Sequence, residues 1–174
     1  IEPDHIRTSP VRKLKNLHLI SSDPLTAGND LHRLLERMGD DAPLSPSESA
    51  YFPWVSTLRR MVWDLGAWQM DIDAPLPACG PVPHGTCDLL VHGGPRRRGI
   101  VEVKVIANGR QESPRARDLV QLASYARLCA RARSFDDLWA GVAYMEIEPR
   151  QVRLMTFESA RSIIEPTLAL IRAA

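Results

Sequence analysis

The chain has 174 residues, 44% hydrophobic and 25% charged, which suits one globular domain with a real core. Its net charge of +1 excludes a global basic field, so any contact with a polyanion has to use local patches. No apolar stretch approaches a membrane span, no signal peptide is visible, and Cys79, Cys87 and Cys129 form an odd, unpatterned set; the expectation is a reducing, cytoplasmic compartment and no membrane.

Residues 1–26 are polar, with Pro3, Pro10 and Pro24 and a basic cluster at Arg7, Arg12, Lys13 and Lys15. They read as an extended N-terminal arm, with a short apolar piece at Leu17 to Ile20, ahead of a single domain over 27–174. The chain opens on Ile1 rather than Met, as an excised or processed domain would. Thr26 or Asn29 is placed to cap a helix through about Met38, whose Leu31, Leu34, Leu35 and Met38 form an apolar stripe. Asp40 to Pro46 reads as a linker, and Ser47 as the start of a second helix to about Leu65 that buries Tyr51, Trp54, Val55, Leu58, Met61 and Val62.

Ala67 to Leu76 alternates as a first strand does, and Pro75 to Pro83 is a proline-rich turn. Next come two β-branched runs, Gly85 to Val91 and Gly99 to Ile106, joined by a glycine-rich turn and by Arg96, Arg97 and Arg98; this pattern predicts a hairpin. Asn108 to Pro114 looks like an exposed, mobile loop. A helix is expected from Arg117 to about Arg133, with Leu119, Leu122, Ala126, Leu128 and Cys129 facing the core. Leu138 to Met145 and Gln151 to Phe157 form a second strand pair, and Ser159 starts a last helix. A mixed sheet flanked by helices, an α/β fold, is the natural packing of that order. Of the four tryptophans, Trp54, Trp63, Trp68 and Trp139, core positions are expected rather than base-stacking platforms.

The hairpin carries the chemistry. Side chains alternate along a strand, so Glu102 and Lys104 share one face while Val101, Val103 and Val105 share the other. Asp88, on the preceding strand, falls across from Glu102. Carboxylates gathered this way suit Mg²⁺ or Mn²⁺, which take oxygen ligands plus waters and phosphate oxygens. A lysine beside them can orient an attacking water or stabilise charge building on a phosphoryl group. A polar sheet face with an ordinary Glu–Lys pair is the plainer alternative. Gln121 and Tyr125, four apart, lie on one helix face, where packing is the alternative reading.

Taken together, Gly28-x-x-x-His32-x-x-Leu35-Glu36, Gly85-Thr86-Cys87-Asp88, Glu102-Val103-Lys104 and Gln121-x-x-x-Tyr125 resemble the RecB-type branch of the PD-(D/E)xK nuclease superfamily. The resemblance spans residues 28–125. It implies a restriction-endonuclease-like core and a metal-dependent exonuclease of DNA, leaving a 5′-phosphate and a 3′-hydroxyl. It also implies His32, Asp88, Glu102 and the carbonyl of Val103 as ligands of Mg²⁺ or Mn²⁺, and Lys104 as the residue that positions the water. Gln121 would support the lysine, and Tyr125 would contact the substrate phosphate. Arginines in a hairpin turn are most often simply solvated; in a nuclease, Arg96, Arg97 and Arg98, with Arg115 and Arg117 beside the loop, would hold backbone phosphates of single-stranded DNA or duplex ends.

Some members carry four cysteines around an iron–sulfur cluster; the three here do not match that arrangement. No helicase motif is present, so a helicase or recombination partner would be a separate chain, docked through the arm. A module with the same fold that binds nucleic acid without cutting is the alternative function. Cys79, His84 and Cys87 lack a fourth zinc ligand. Cys87 as a nucleophile is disfavoured because it points away from Asp88. His92 is the reserve ligand should His32 prove remote, Glu36 could orient the His32 imidazole, and Glu48 could approach the site from the second helix.

Overall fold

The runs expected as strands pair into one sheet in the computed structural model, which describes residues 1–78, 84–130 and 135–173. Six strands take part: β1 (His5–Pro10), β2 (Ala67–Leu76), β3 (Gly85–Gly93), β4 (Arg98–Ile106), β5 (Leu138–Glu146) and β6 (Gln151–Phe157). Their spatial order is β1-β6-β5-β4-β3-β2. Every neighbouring pair is antiparallel except β4 and β5. Parallel neighbours need a crossover, and the helix α4 (Ala116–Ala130) supplies it.

Four more helices complete the mixed α/β fold: α1 (Pro24–Gly39), α2 (Pro46–Ser49), α3 (Phe52–Asp64) and α5 (Arg161–Ala173). Leu31, Leu34 and Leu35 of α1 and Trp54 and Leu58 of α3 pack on one sheet face with Leu89, Val101, Val103 and Leu154. Leu119, Leu122 and Ala126 of α4 and Ile163 of α5 pack on the other with Ile100, Val142, Tyr144 and Phe157. Strand alternation thus sends Val101 and Val103 toward α1 and α3, and turns Glu102 and Lys104 toward the α4 side. The hairpin turn runs through Gly93 and Gly94, with φ of 100° and 92°, a backbone region that glycine enters at little cost.

The structure corrects several expectations. Asp23, rather than Thr26 or Asn29, caps α1: its carboxylate accepts the Thr26 N–H at 3.0 Å, and Pro24 follows at the first helical position. The second helix is two. Ser45 and Glu48 form a reciprocal capping box around α2, and the chain restarts at Phe52-Pro53, where proline has no N–H for a continuous ladder. The N-terminal arm is partly sheet, since β1 pairs along six residues with β6. Trp54 and Trp139 are core as expected, but Trp63 and Trp68 are 45% and 67% exposed, because neither apolar face reaches them.

The loop after β4 is exposed at Asn108, Gly109 and Arg110 but anchored beyond them. Gln111 donates its N–H to the Glu146 carboxylate at 2.8 Å, and Arg115 donates its N–H to the Tyr144 hydroxyl at 3.1 Å. Glu146, fully buried, is balanced by Arg153 at 3.0 Å. Part of the proline-rich turn (79–83) and the expected last turn of α4 (131–133) lie outside the described residues.

Candidate active site

The ladder between β3 and β4 ends at Leu89↔Val101. The next residues in that register are Asp88 and Glu102, so both carboxylates sit where the hairpin strands cease to pair. Asp88 takes over there: its Oδ2 accepts the Val103 N–H at 2.7 Å, filling a bond the partner strand no longer makes. Its other oxygen lies 3.3 Å from Nδ1 of His32, brought in by α1.

On the facing side, α4 presents Gln121 and Tyr125 one turn apart. Lys104 Nζ donates to Gln121 Oε1 and sits 3.8 Å from Glu102 Oε2. Gln121 Nε2 in turn donates to the Tyr125 hydroxyl at 3.5 Å. Tyr125 reaches this place because Gly85 lets it. A Cβ on Gly85 would stand 2.6 Å from the ring carbon Cε1 of Tyr125. The glycine that opens the Gly85-x-x-Asp88 run and the tyrosine that closes the Gln121-x-x-x-Tyr125 run are therefore packing partners.

One open cleft joins these groups; His32, Asp88, Glu102, Gln121 and Tyr125 all line it. Glu36, Thr86 and Asp73 complete the lining. A second cleft adjoins it at His32 and Lys104 and includes Gly28, Val103, Arg115 and Arg117.

The electrostatics are lopsided. Burial, then the neighbouring Asp88 charge, pushes the Glu102 carboxyl well above the usual carboxylate range, against the pull of Lys104. Glu102 Oε1 is buried and accepts no hydrogen bond. Leaving a buried acceptor unpaired costs about 1–3 kcal/mol, and more when it is charged. The Asp88 carboxylate raises the His32 pKa through their contact, more than burial lowers it. Burial also raises the Tyr125 hydroxyl pKa.

Nothing in the sequence pattern points to Asp73. The β2–β3 register pairs Ile72 with Leu89 and Ala74 with Cys87, which sets Asp73 opposite Asp88. It adopts φ 53°, an uncommon conformation for a residue within a strand. Burial, then Glu36, pushes its carboxyl up. Glu36 lines the cleft as its helical spacing from His32 suggests, yet Asp88 is the carboxylate that holds the imidazole.

Other candidates fall away from this place. Arg96 donates to the Glu158 carbonyl at 3.2 Å and Arg98 to the Cys129 carbonyl at 3.4 Å. Both sit with Arg97 at the turn end of the hairpin, four or more residues from Glu102, about 13 Å along the strand. Arg115 and Arg117 do line the second cleft, although Arg117 also stands 3.8 Å from Asp118. His92 is engaged with Asp71 at 3.2 Å and lies against Trp68. Glu48 is used by Arg37 at 2.8 Å and by its capping box. Cys87 is fully buried, and burial pushes its thiol pKa up, the reverse of an activated nucleophile. Of the zinc triplet, Cys79 lies outside the described residues.

Among the described residues no three His, Cys, Asp or Glu side chains converge as a ready metal cage. The donor set nevertheless fits a hard divalent cation. Two carboxylates meet beside an imidazole, and one carboxylate oxygen is buried with nothing to accept from. Such an ion takes few protein ligands and keeps several waters.

No family model matches the chain, and no curated protein matches it. A solved structure, that of SSO0001, is similar over 80% of this chain and 70% of that one, at 15% identity and a TM-score of 0.41, too low to carry an argument.

Proposed function

We propose that the chain is a Mg²⁺- or Mn²⁺-dependent deoxyribonuclease of the RecB type, an exonuclease acting on DNA ends. One observation carries the reading. The Lys104 ammonium is fixed by Gln121 beside a buried pair of carboxylates, and one of their oxygens has no partner. A purely structural Glu–Lys pair has no need of a second buried carboxylate or of an empty acceptor.

In this reading His32, Asp88, Glu102 and the Val103 carbonyl hold the ion. When bound, it would lower the pKa of a water and polarise the scissile phosphate. Lys104 orients the attacking water and offsets charge building on the phosphoryl oxygens. Gln121 keeps the flexible lysine stem in one rotamer, so positioning is prepaid before substrate arrives. The Tyr125 hydroxyl, a phenol that is protonated at neutral pH, donates to a phosphate oxygen. Arg115 and Arg117, on the adjoining cleft, hold the flanking backbone. The water oxygen bonds to phosphorus as its proton passes to solvent, and the bond to the 3′ oxygen breaks as that oxygen takes up a proton from solvent, giving a 5′-phosphate and a 3′-hydroxyl.

The test is a cleavage assay on end-labelled single- and double-stranded DNA with Mn²⁺, Mg²⁺ or EDTA, with Glu102→Ala in parallel. Metal-dependent release of label by the wild type and not by Glu102→Ala is expected. DNA that is shifted on a gel but never cut, under any metal, would replace the nuclease with the non-cutting module.

A further inference from the structure

A second basic site lies on the opposite edge of the sheet. The last residues of β1 and the first turns of α3 form a groove of about 630 Å³ that includes Ser9, Arg12, Lys13, Phe52 and Arg60. It continues into a hollow where Arg7 and Arg60 face a single acid, Asp64. Among the described residues neither Arg7, Arg12, Lys13 nor Arg60 forms an ion pair with a carboxylate; Arg60 donates only to the Ser9 hydroxyl, at 3.2 Å. Four cations are thus set against one carboxylate in a chain whose net charge is only +1.

The backbone holds this arrangement in place. Val11 is buried and donates its N–H to the Arg150 carbonyl at 2.8 Å, so Arg12 and Lys13 follow directly from an anchored residue. Lys13 then turns the chain with φ 58°. Tyr51 is buried, whereas Phe52, the next residue, is 40% exposed at the groove. An exposed aromatic ring beside unneutralised cations and hydroxyls is the combination that binds single-stranded nucleic acid: cations track the phosphates, and the ring accepts an unstacked base. An acidic peptide would use the cations but has no need of the ring.

Lys104, Tyr144, Arg153 and Thr8 form one register row on the α4 side of the sheet, whereas α3 brings the groove to the other side. Three strand spacings, about 14 Å, separate β1 from β4.

We propose that the β1–α3 groove is a single-strand subsite, which anchors the backbone of a DNA strand and stacks one of its bases on Phe52. Its service to cleavage, by holding the strand whose end lies at Lys104, rests on the nuclease reading.

The test uses the full chain in EDTA, so that binding is read without cutting, and follows the anisotropy of a labelled oligothymidine of about 16 nucleotides, the upper site size of such grooves. Arg12→Gln with Lys13→Gln is expected to weaken binding at low salt and to flatten the log–log salt slope by about 1.4, that is about 0.7 for each lost contact with a single strand. Phe52→Ala is expected to cost about tenfold with an unchanged slope, and to leave binding of a blunt duplex as it was. All three side chains are exposed, so an unshifted melting curve will certify the fold. Oligothymidine affinity unchanged in these variants overturns the subsite. So does competition by polyglutamate as effective as by oligothymidine, together with indifference to Phe52→Ala, which points to an acidic peptide. A wild type that binds oligothymidine through these residues but never cuts overturns the nuclease reading alone.

Discussion

Glu102 is where stability and function pull apart. Its side chain is 1% exposed, stands beside Asp88, and has one oxygen with no partner. A carboxyl whose folded pKa lies above its unfolded value favours the fold while protonated. That contribution is lost as pH rises through the folded pKa, and above it the ionised group is a net cost. Glu102→Gln removes the charge and offers Asp88 an N–H. In EDTA the variant should therefore melt a few degrees above the wild type near pH 8, and the gap should close as pH falls toward the unfolded value of 4.5. Adding Mg²⁺ or Mn²⁺ should raise the wild-type melting temperature and not that of the variant, which should also have lost at least ~100-fold in cleavage, the scale of removing one preorganised charge from such a site. Thermal melts across pH, with and without metal, check both halves. A variant less stable than the wild type at every pH would mean that the Glu102 charge is already satisfied and needs no cation.

Each element adds its share by a different device, and two glycines show it. Gly85 is a matter of close approach. A Cβ there would run into the Tyr125 ring, so Gly85→Ala should push the ring off Gln121 and slow cleavage about tenfold while the melting temperature hardly moves. Tyr125→Phe should cost a similar factor, and the double variant should cost less than the product, because residues in contact are not additive. Additive losses measured in kcat/KM would show that the two act separately. Gly28 is the opposite case. It lies inside α1, and a Cβ there would meet nothing within 4 Å, so Gly28→Ala should stabilise the helix by about 1 kcal/mol. The same methyl would project into the cleft beside Lys104, so KM for DNA should rise; an unchanged KM would place the strand elsewhere. Such contacts explain what the sequence could and could not reveal. Strand alternation and i,i+4 spacing placed Glu102 with Lys104 and Gln121 with Tyr125, because those are local periodicities. Asp73 escaped notice because its position opposite Asp88 depends on the β2–β3 register and on a left-handed backbone within a strand. Nearness in sequence to the hairpin likewise does not say which end of it Arg96 to Arg98 occupy, and the structure sets them at its turn end, away from the carboxylates.

For the whole molecule, β1 is what joins the first residues to the sheet. Five of the six β1 side chains are exposed, so the strand contributes little apolar burial. What ties it down is the six-residue ladder to β6, the Asp4 carboxylate accepting the Glu158 N–H at 2.7 Å, and His5 against Glu158 at 3.0 Å. These are exposed interactions of small individual worth, but the ladder has a second effect that does not depend on their strength. It covers the β6 edge, whose Val152, Leu154, Met155 and Phe157 belong to the core on both faces. Without β1, that strand would present a row of unpaired N–H and C=O groups flanked by apolar side chains, which is a template for pairing with another chain. Removing residues 1–10 should therefore lower the melting temperature modestly while making the protein associate as its concentration rises, which size-exclusion chromatography over a dilution series reads directly. A free arm would predict no change in either measurement. The cleft lies three strands away and shares no residue with β1, so the truncated monomer, assayed dilute and below its melting temperature, should still cut a substrate too short to reach the β1–α3 groove. Loss of that activity as well would mean that the edge strand braces the β4–β5 centre of the sheet, beyond merely closing its side.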